Sequence, residues 1–211
     1  MSSLSKTQPE GESGLAWPAE DETLLPAIVQ DAETLQVLML GYMNREAFDA
    51  TLRDGLVTFF SRSKGRLWTK GESSGNTLAL VDVQLDCDQD ALLVRALPAG
   101  PTCHRETTSC FGDERAPGLG FLARLERVIA TRKSEAPKGS YTTELFADGL
   151  ERIAQKVGEE GVETVVALLR QGDGALKGEV ADLVFHVLVG LQARGLSLAD
   201  VVEELRVRHR G

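Results

Sequence analysis

The sequence predicts two domains: an N-terminal, mainly β (α+β) domain over residues 21–118 and a C-terminal all-α domain over residues 119–211, preceded by a flexible tail over residues 1–20. Three observations carry this. Apolar runs of strand length, separated by turn residues, fill the chain from Leu24 to about Leu97. Beyond Ala116-Pro117-Gly118 the turn signals thin, and apolar residues recur at i, i+3, i+4 and i+7. Charge divides at the same place: residues 1–118 hold 10 basic and 18 acidic groups and residues 119–211 hold 13 and 14, so the net charge of -9 sits almost wholly in the first half.

Residues 25–30 and 35–40 read as antiparallel partners about a turn at Asp31-Ala32-Glu33. Asn44 caps a helix through Leu52, because its side chain can accept from the free amides of the first turn; Asp54-Gly55 ends it. Further strands are expected at 56–61, 67–70, 78–85 and 91–97. In the second half, residues 121–132 place Leu122, Leu125, Val128 and Ile129 near one face. Val162, Val165, Val166 and Leu169 mark a helix, Val180, Leu183, Val184, Val187, Leu188 and Leu191 mark the next, and residues 198–208 form the last. Apolar content is ordinary for a globular chain. No run is long enough to cross a bilayer, and the acidic balance argues against nucleic acid as a partner. The tail is rich in Ser, Glu, Gly and Pro without an apolar targeting segment, so the cytoplasm is the expected compartment.

The cysteines are the most informative residues. Cys87, Cys103 and Cys110 lie within 24 residues of one another, and there is no fourth in the chain. Zinc is held tetrahedrally by thiolates, and three ligands leave a position for water, as in catalytic sites. In Asp86-Cys87-Asp88-Gln89-Asp90, an extended chain would put Asp86, Asp88 and Asp90 on one side and Cys87 on the other. An oxygen triad suits a hard cation such as magnesium, so the segment is read as serving two metals. Cysteine also packs as a small hydrophobe and Asp-rich runs form solvated turns, but the clustering favours metal. A structural disulfide leaves one thiol over.

A second acidic constellation stands in the helical half. Residues three or four apart share a helix face, so Glu159 and Glu160 both neighbour Glu163, while Glu179, Asp182 and His186 line one flank of their own helix. Packing the two apolar stripes together would bring both acidic flanks to a common groove, where a divalent cation relieves the repulsion. Solvated glutamates are the commoner outcome, but Asp182 interrupts an otherwise apolar run. A third stretch, Ser61 to Asn76, interleaves Arg62, Lys64, Arg66 and Lys70 with Gly and Ser; it offers charge and backbone N–H groups to a phosphate, and Trp68 offers a face to a base.

Several of these segments resemble phosphoribosyl-AMP cyclohydrolase: Val37-Leu38-Met39-Leu40-Gly41-Tyr42-Met43-Asn44, the stretch from Ser61 to Asn76, Asp86-Cys87-Asp88-Gln89-Asp90, and Gly100-Pro101-Thr102-Cys103-His104 with Ser109-Cys110-Phe111. The second half resembles phosphoribosyl-ATP pyrophosphatase through Ser140-Tyr141-Thr142, Gln155 to Glu163, and Glu179-Val180-Ala181-Asp182-Leu183. Together they resemble the bifunctional histidine-biosynthesis hydrolase family, over nearly everything after residue 22. The resemblance implies that the second half cleaves phosphoribosyl-ATP to phosphoribosyl-AMP and pyrophosphate, and that the first half opens the adenine ring between N1 and C6.

It implies zinc on Cys87, Cys103 and Cys110, and magnesium on Asp86, Asp88 and Asp90. A second magnesium group is Glu159, Glu160, Glu163, Glu179 and Asp182, with Glu160 and Glu163 also catalytic. His104, beside a ligand, is the expected proton shuttle, since imidazole titrates in the useful range. Substrate contacts are expected from Arg62, Ser63, Trp68, Lys70, Gly71, Glu72, Ser74, Gly75, Asn76 and Lys156, with small nucleotides as partners. A homodimer is expected, because Cys87 on an extended strand faces away from its neighbours' pocket and the resemblance implies ligands shared between subunits. Glu106 departs from the family, which commonly has glycine or a small residue there. The rival reading is a non-catalytic zinc module fused to a helical dimerisation domain; a zinc nucleobase deaminase is disfavoured because its H-x-E and P-C-x-x-C signature is absent.

Overall fold

A computed structural model of the 211-residue chain describes residues 17, 23–112 and 118–209. The chain divides into two compact units, Met1–Phe121 and Leu122–Gly211. The two-domain layout, strand-rich then helical, is the one the sequence predicts. The tail expected over residues 1–20 lies outside the described residues except for Trp17, whose ring packs on Phe48 with centroids 5.6 Å apart.

The first unit runs β1 (Leu25–Asp31), β2 (Val37–Met43), α1 (Arg45–Asp54), β3 (Thr58–Ser61), β4 (Arg66–Thr69), β5 (Leu78–Leu85) and β6 (Leu92–Pro98). Four strands form one sheet in the order β2-β1-β6-β5, and β3 and β4 form a separate ribbon. The β1 and β2 strands are antiparallel as expected, but β1 also pairs in parallel with β6, a long-range choice that local periodicity does not encode. Alternate residues of β1 (Leu25, Ala27 and Val29) enter the core with Leu38, Met43, Phe48, Val57 and Val94. The strand β2 begins at Val37 rather than 35: Asp31 Oδ1 accepts from the amides of Glu33 (2.9 Å) and Thr34 (3.1 Å), and Leu35 takes a φ of 59° within the turn. Asn44 caps α1 as predicted, accepting from the Ala47 amide at 2.9 Å.

The second unit comprises α2 (Gly120–Glu135), α3 (Tyr141–Asp148), α4 (Leu150–Arg170), α5 (Asp173–Ala193) and α6 (Leu198–Arg208). Ile129, Leu145, Ile153, Leu188 and Val189 form its core. The helix α3 is additional to the expected set. It has only 8 residues, too few for a repeating apolar pattern, although Ser140 caps it and Gly149 ends it. The α4 stripe behaves differently from the expectation. Val162, Val165, Val166 and Leu169 are exposed, and the buried face is marked instead by Ile153, Glu160 and Ala167, seven residues apart. Among the described residues no helix is long and apolar enough to cross a membrane.

Candidate active sites

In the first unit a cleft of about 350 Å³ is lined by Trp68, Lys70, Gly71, Glu72, Ser74 and Asn76 together with Cys103, His104 and Cys110. The strand β4 delivers Trp68, whose ring lies 5.7 Å from that of Phe59. Gly71 allows the chain to turn back beyond β4. Its φ is 86°, and a Cβ there would lie 2.5 Å from backbone atoms of Asn76 and Thr77. The cysteine loop is pinned to β2: the Cys110 amide donates to Leu38 O (2.8 Å) and the Ser109 hydroxyl to Val37 O (2.8 Å).

Lys70 is buried, and its Nζ donates to Asn76 O at 3.2 Å. Burial pushes its ammonium below the usual lysine range, and the two nearby thiols partly oppose that. Cys103 is held below the ordinary thiol range by the Arg105 amide and Thr107, whereas desolvation and the neighbouring Cys103 sulfur push Cys110 up. His104 Nδ1 lies 3.9 Å from Cys103 Sγ. Glu106, the departure from the family, carries a φ of 63° and lines the same cleft.

Other predicted residues stand elsewhere. Arg62 and Ser63 line a neighbouring hollow of about 630 Å³ that shares Met39 and Trp68 with the cleft, and the Arg62 guanidinium sits 3.8 Å from the Tyr42 ring centroid. Glu72 is ion-paired with Arg66 at 2.6 Å. Gly75, with a φ of 78°, belongs to the 71–76 turn without lining the cleft.

The strand geometry expected for residues 86–90 is corrected. The strand β5 stops at Leu85, and these residues form a turn in which Gln89 has a φ of 63°. Asp86 Oδ1 accepts from the amides of Asp90 (2.9 Å) and Ala91 (3.1 Å). The turn, not strand alternation, brings Asp86, Asp88 and Asp90 together, with one oxygen from each within 4.8 Å of the others. Cys87 lies exposed beside Asp88. Among the described residues the three thiols of one chain do not gather into a single ligand group.

In the second unit, Glu160 of α4 meets Glu179 and Asp182 of α5, again with carboxylate oxygens within 4.8 Å of one another. Glu160 is 5% exposed. Lys156 Nζ binds Glu160 at 2.8 Å and Glu159 at 2.9 Å. Its hydrogen bond holds Glu160 below the usual carboxylate range, and Lys156 itself is raised. Glu159 stands apart from the three-carboxylate group, held by Lys156 and by Gln155 Nε2 at 2.7 Å. Glu163 is pushed up by the Glu160 charge, with burial and Glu179 adding to it. Sequence reasoning gave no site role to cleft residues Met39 and Thr102, or to Tyr141 beside His186; no spacing rule connects a loop Thr or a helix-start Tyr to its distant partner.

A strand-rich unit with paired thiols in a cleft and a helical unit with facing carboxylates define a two-domain hydrolase. The phosphoribosyl-AMP cyclohydrolase family matches residues 39–112 and the phosphoribosyl-ATP pyrophosphohydrolase family matches residues 122–209. The chain is 60% identical over 196 residues to the histidine biosynthesis bifunctional protein HisIE of Xylella fastidiosa strain Temecula1, covering 93% of each. It is 58% identical to HisIE of Xanthomonas campestris pv. campestris, covering 98% of this chain and 99% of the relative, and 56% identical to HisIE of Escherichia coli K12, covering 92% and 95%. The chain belongs to this bifunctional histidine-biosynthesis family, with one cyclohydrolase and one pyrophosphohydrolase domain. The rival reading as a non-catalytic zinc module is not favoured. Metal-dependent hydrolysis is in keeping with both families, and the two acidic groups are the candidate cation sites among the described residues.

Proposed function

We propose that the helical unit hydrolyses phosphoribosyl-ATP to phosphoribosyl-AMP and pyrophosphate, and that the strand-rich unit then adds water at C6 of the adenine and breaks the N1–C6 bond. The observation that carries this reading is the presence of two separate donor sets of different chemistry, thiols in one unit and facing carboxylates in the other. Oxygen-only donors at close range suit magnesium, and thiolates suit zinc. Bound magnesium neutralises phosphate charge, and bound zinc makes water nucleophilic near neutral pH.

Glu160, Glu163, Glu179 and Asp182 are the residues that would hold magnesium in the helical unit, with Glu159 contributing from its edge. Lys156, once Glu160 is otherwise neutralised, is free to bind a phosphate oxygen. Glu163, already biased toward holding a proton, is suited to accept one from the attacking water. In the strand-rich unit Trp68 offers a stacking face for the adenine. Lys70, Gly71, Glu72, Ser74, Gly75 and Asn76 bind the nucleotide along the 70–76 turn, and Arg62 and Ser63 reach a phosphate from the adjoining hollow. His104, which borders the cleft and neighbours Cys103, moves the proton between water and ring nitrogen. Asp86, Asp88 and Asp90 are the further magnesium group.

The zinc set fits two thiols of one chain, Cys103 and Cys110, completed by Cys87 of a second copy, so we infer a homodimer. The exposed α4 stripe of Val162, Val165, Val166 and Leu169 supports association of copies. The cytoplasm, where thiols stay reduced, suits this chemistry. Purified protein given phosphoribosyl-ATP should release pyrophosphate first and then the ring-opened product. Ring opening without prior pyrophosphate release would overturn the order.

A further inference from the structure

His186 is 4% exposed and lies on α5, one turn beyond Asp182. Its Nδ1 is 2.9 Å from the Asp182 backbone oxygen and its Nε2 is 3.0 Å from the Tyr141 hydroxyl. A carbonyl can only accept, so Nδ1 carries a proton toward Asp182, and Nε2 shares a second hydrogen bond with the Tyr141 hydroxyl. The same Nδ1 faces Glu160 Oε1 at 3.7 Å. Phe185 and Tyr141 pack edge-on against the ring, with centroids at 5.2 and 6.0 Å. One buried imidazole therefore touches the start of α3, the acidic face of α4 and the turn of α5 that bears Asp182.

We propose that Tyr141 and His186 are positioning residues for the cation-binding carboxylates. The chain of hydrogen bonds from Tyr141 to His186 to the Asp182 carbonyl ties α5 to the start of α3 and holds the imidazole against Glu160 of α4. Two carboxylates from different helices repel when brought close, and without a fixed spacing each would turn toward solvent. The imidazole holds the spacing through its Nδ1–H, which lies between the Asp182 backbone and the Glu160 carboxylate. The Tyr141 hydroxyl, bound to Nε2, keeps the ring from flipping out of this arrangement. This role rests on the reading of Glu160, Glu179 and Asp182 as a magnesium site. It is distinct from that reading, because neither Tyr141 nor His186 is a ligand. Partners that orient ligands from behind commonly change metal affinity about 10- to 100-fold when removed.

The test is manganese binding to the full-length chain without substrate, followed by electron paramagnetic resonance, alongside the magnesium dependence of pyrophosphate release. Tyr141→Phe removes one hydroxyl, His186→Leu removes both ring nitrogens, and His186→Asn restores a donor near the Nδ1 position. We expect Tyr141→Phe and His186→Leu to weaken manganese binding about tenfold or more, and to raise the magnesium needed rather than lower the rate at saturation. His186→Asn should recover most of the loss. Unchanged manganese affinity in Tyr141→Phe, which keeps the packing, overturns the proposal even if His186→Leu fails to fold. So does a folded His186→Asn no better than His186→Leu. If the parent binds no manganese, or Glu160→Gln binds it as well as the parent does, the magnesium reading itself falls and the inference falls with it.

Discussion

Lys156 Nζ lies 2.8 Å from the Glu160 carboxylate, one helical turn away on the same buried face of α4. In the absence of a metal this ammonium is the counter-charge that lets a carboxylate stay at 5% exposure. A divalent cation and Lys156 therefore compete for Glu160, and the balance sets how the site responds to substitution.

Lys156→Met should destabilise the metal-free protein by about 1 kcal/mol at pH 7, since it strips the partner from a largely buried carboxylate. With saturating magnesium the cost should shrink, because the cation takes over the neutralisation. Thermal melts of parent and variant with and without magnesium measure both numbers; an equal cost in the two conditions contradicts the competition.

Magnesium binding should weaken as pH falls toward the carboxylate range. Glu163 is raised in the folded state, so its ionisation opposes folding; that penalty is present above the raised value and absent below the ordinary value of 4.5. Glu160 is lowered, so its pairing with Lys156 stabilises the fold above 4.5 and is lost as pH falls through its depressed value. Of these two carboxylates Glu163 is therefore the first to take a proton as pH falls, and a proton there competes with the cation. Calorimetric titration of magnesium at pH 7.5 and pH 5 should give the tighter binding at pH 7.5.

Asp182→Ala should abolish pyrophosphate release while leaving hydrolysis of supplied phosphoribosyl-AMP nearly intact, because each unit has its own core. Assaying the two steps separately on one preparation decides the matter, and loss of both in a folded variant contradicts two independent sites.

Cys87→Ala and Cys103→Ala should each lose ring opening and zinc. Co-refolded, the two should regain part of the activity, since a mixed dimer keeps one complete set of thiols. A demonstrated heterodimer that fails to complement, or a fully active monomer, excludes shared ligands.

Glu106→Gly should stabilise the cysteine loop by roughly 0.5–1 kcal/mol: left-handed backbone costs a non-glycine residue about 1–2 kcal/mol, and glycine returns part of this through its freer unfolded chain. Gly71→Ala should do the reverse by more than about 1 kcal/mol, as its Cβ meets rigid backbone of Asn76 and Thr77 at 2.5 Å. Equilibrium unfolding of the two variants tests both signs.

The sequence by itself determined the division into a strand-rich and a helical half, most of the strands and helices, the pairing of β1 with β2, and which residue types stand as candidates for the two sites. Those properties are local: periodicities of two and 3.6, capping side chains, turn residues, and ligand types close together in the chain. The tertiary structure decided what depends on distant residues meeting. It alone shows the parallel contact of β1 with β6, and the approach of Glu160 to Glu179 and Asp182 with Glu159 left to Lys156. Residues 86–90 show the limit most directly. Alternating Asp and Cys reads as a strand, but the amides of Asp90 and Ala91 find their acceptor in Asp86. The chain turns there because backbone hydrogen bonds must be satisfied in three dimensions, and an alternating pattern carries no record of which acceptor is within reach.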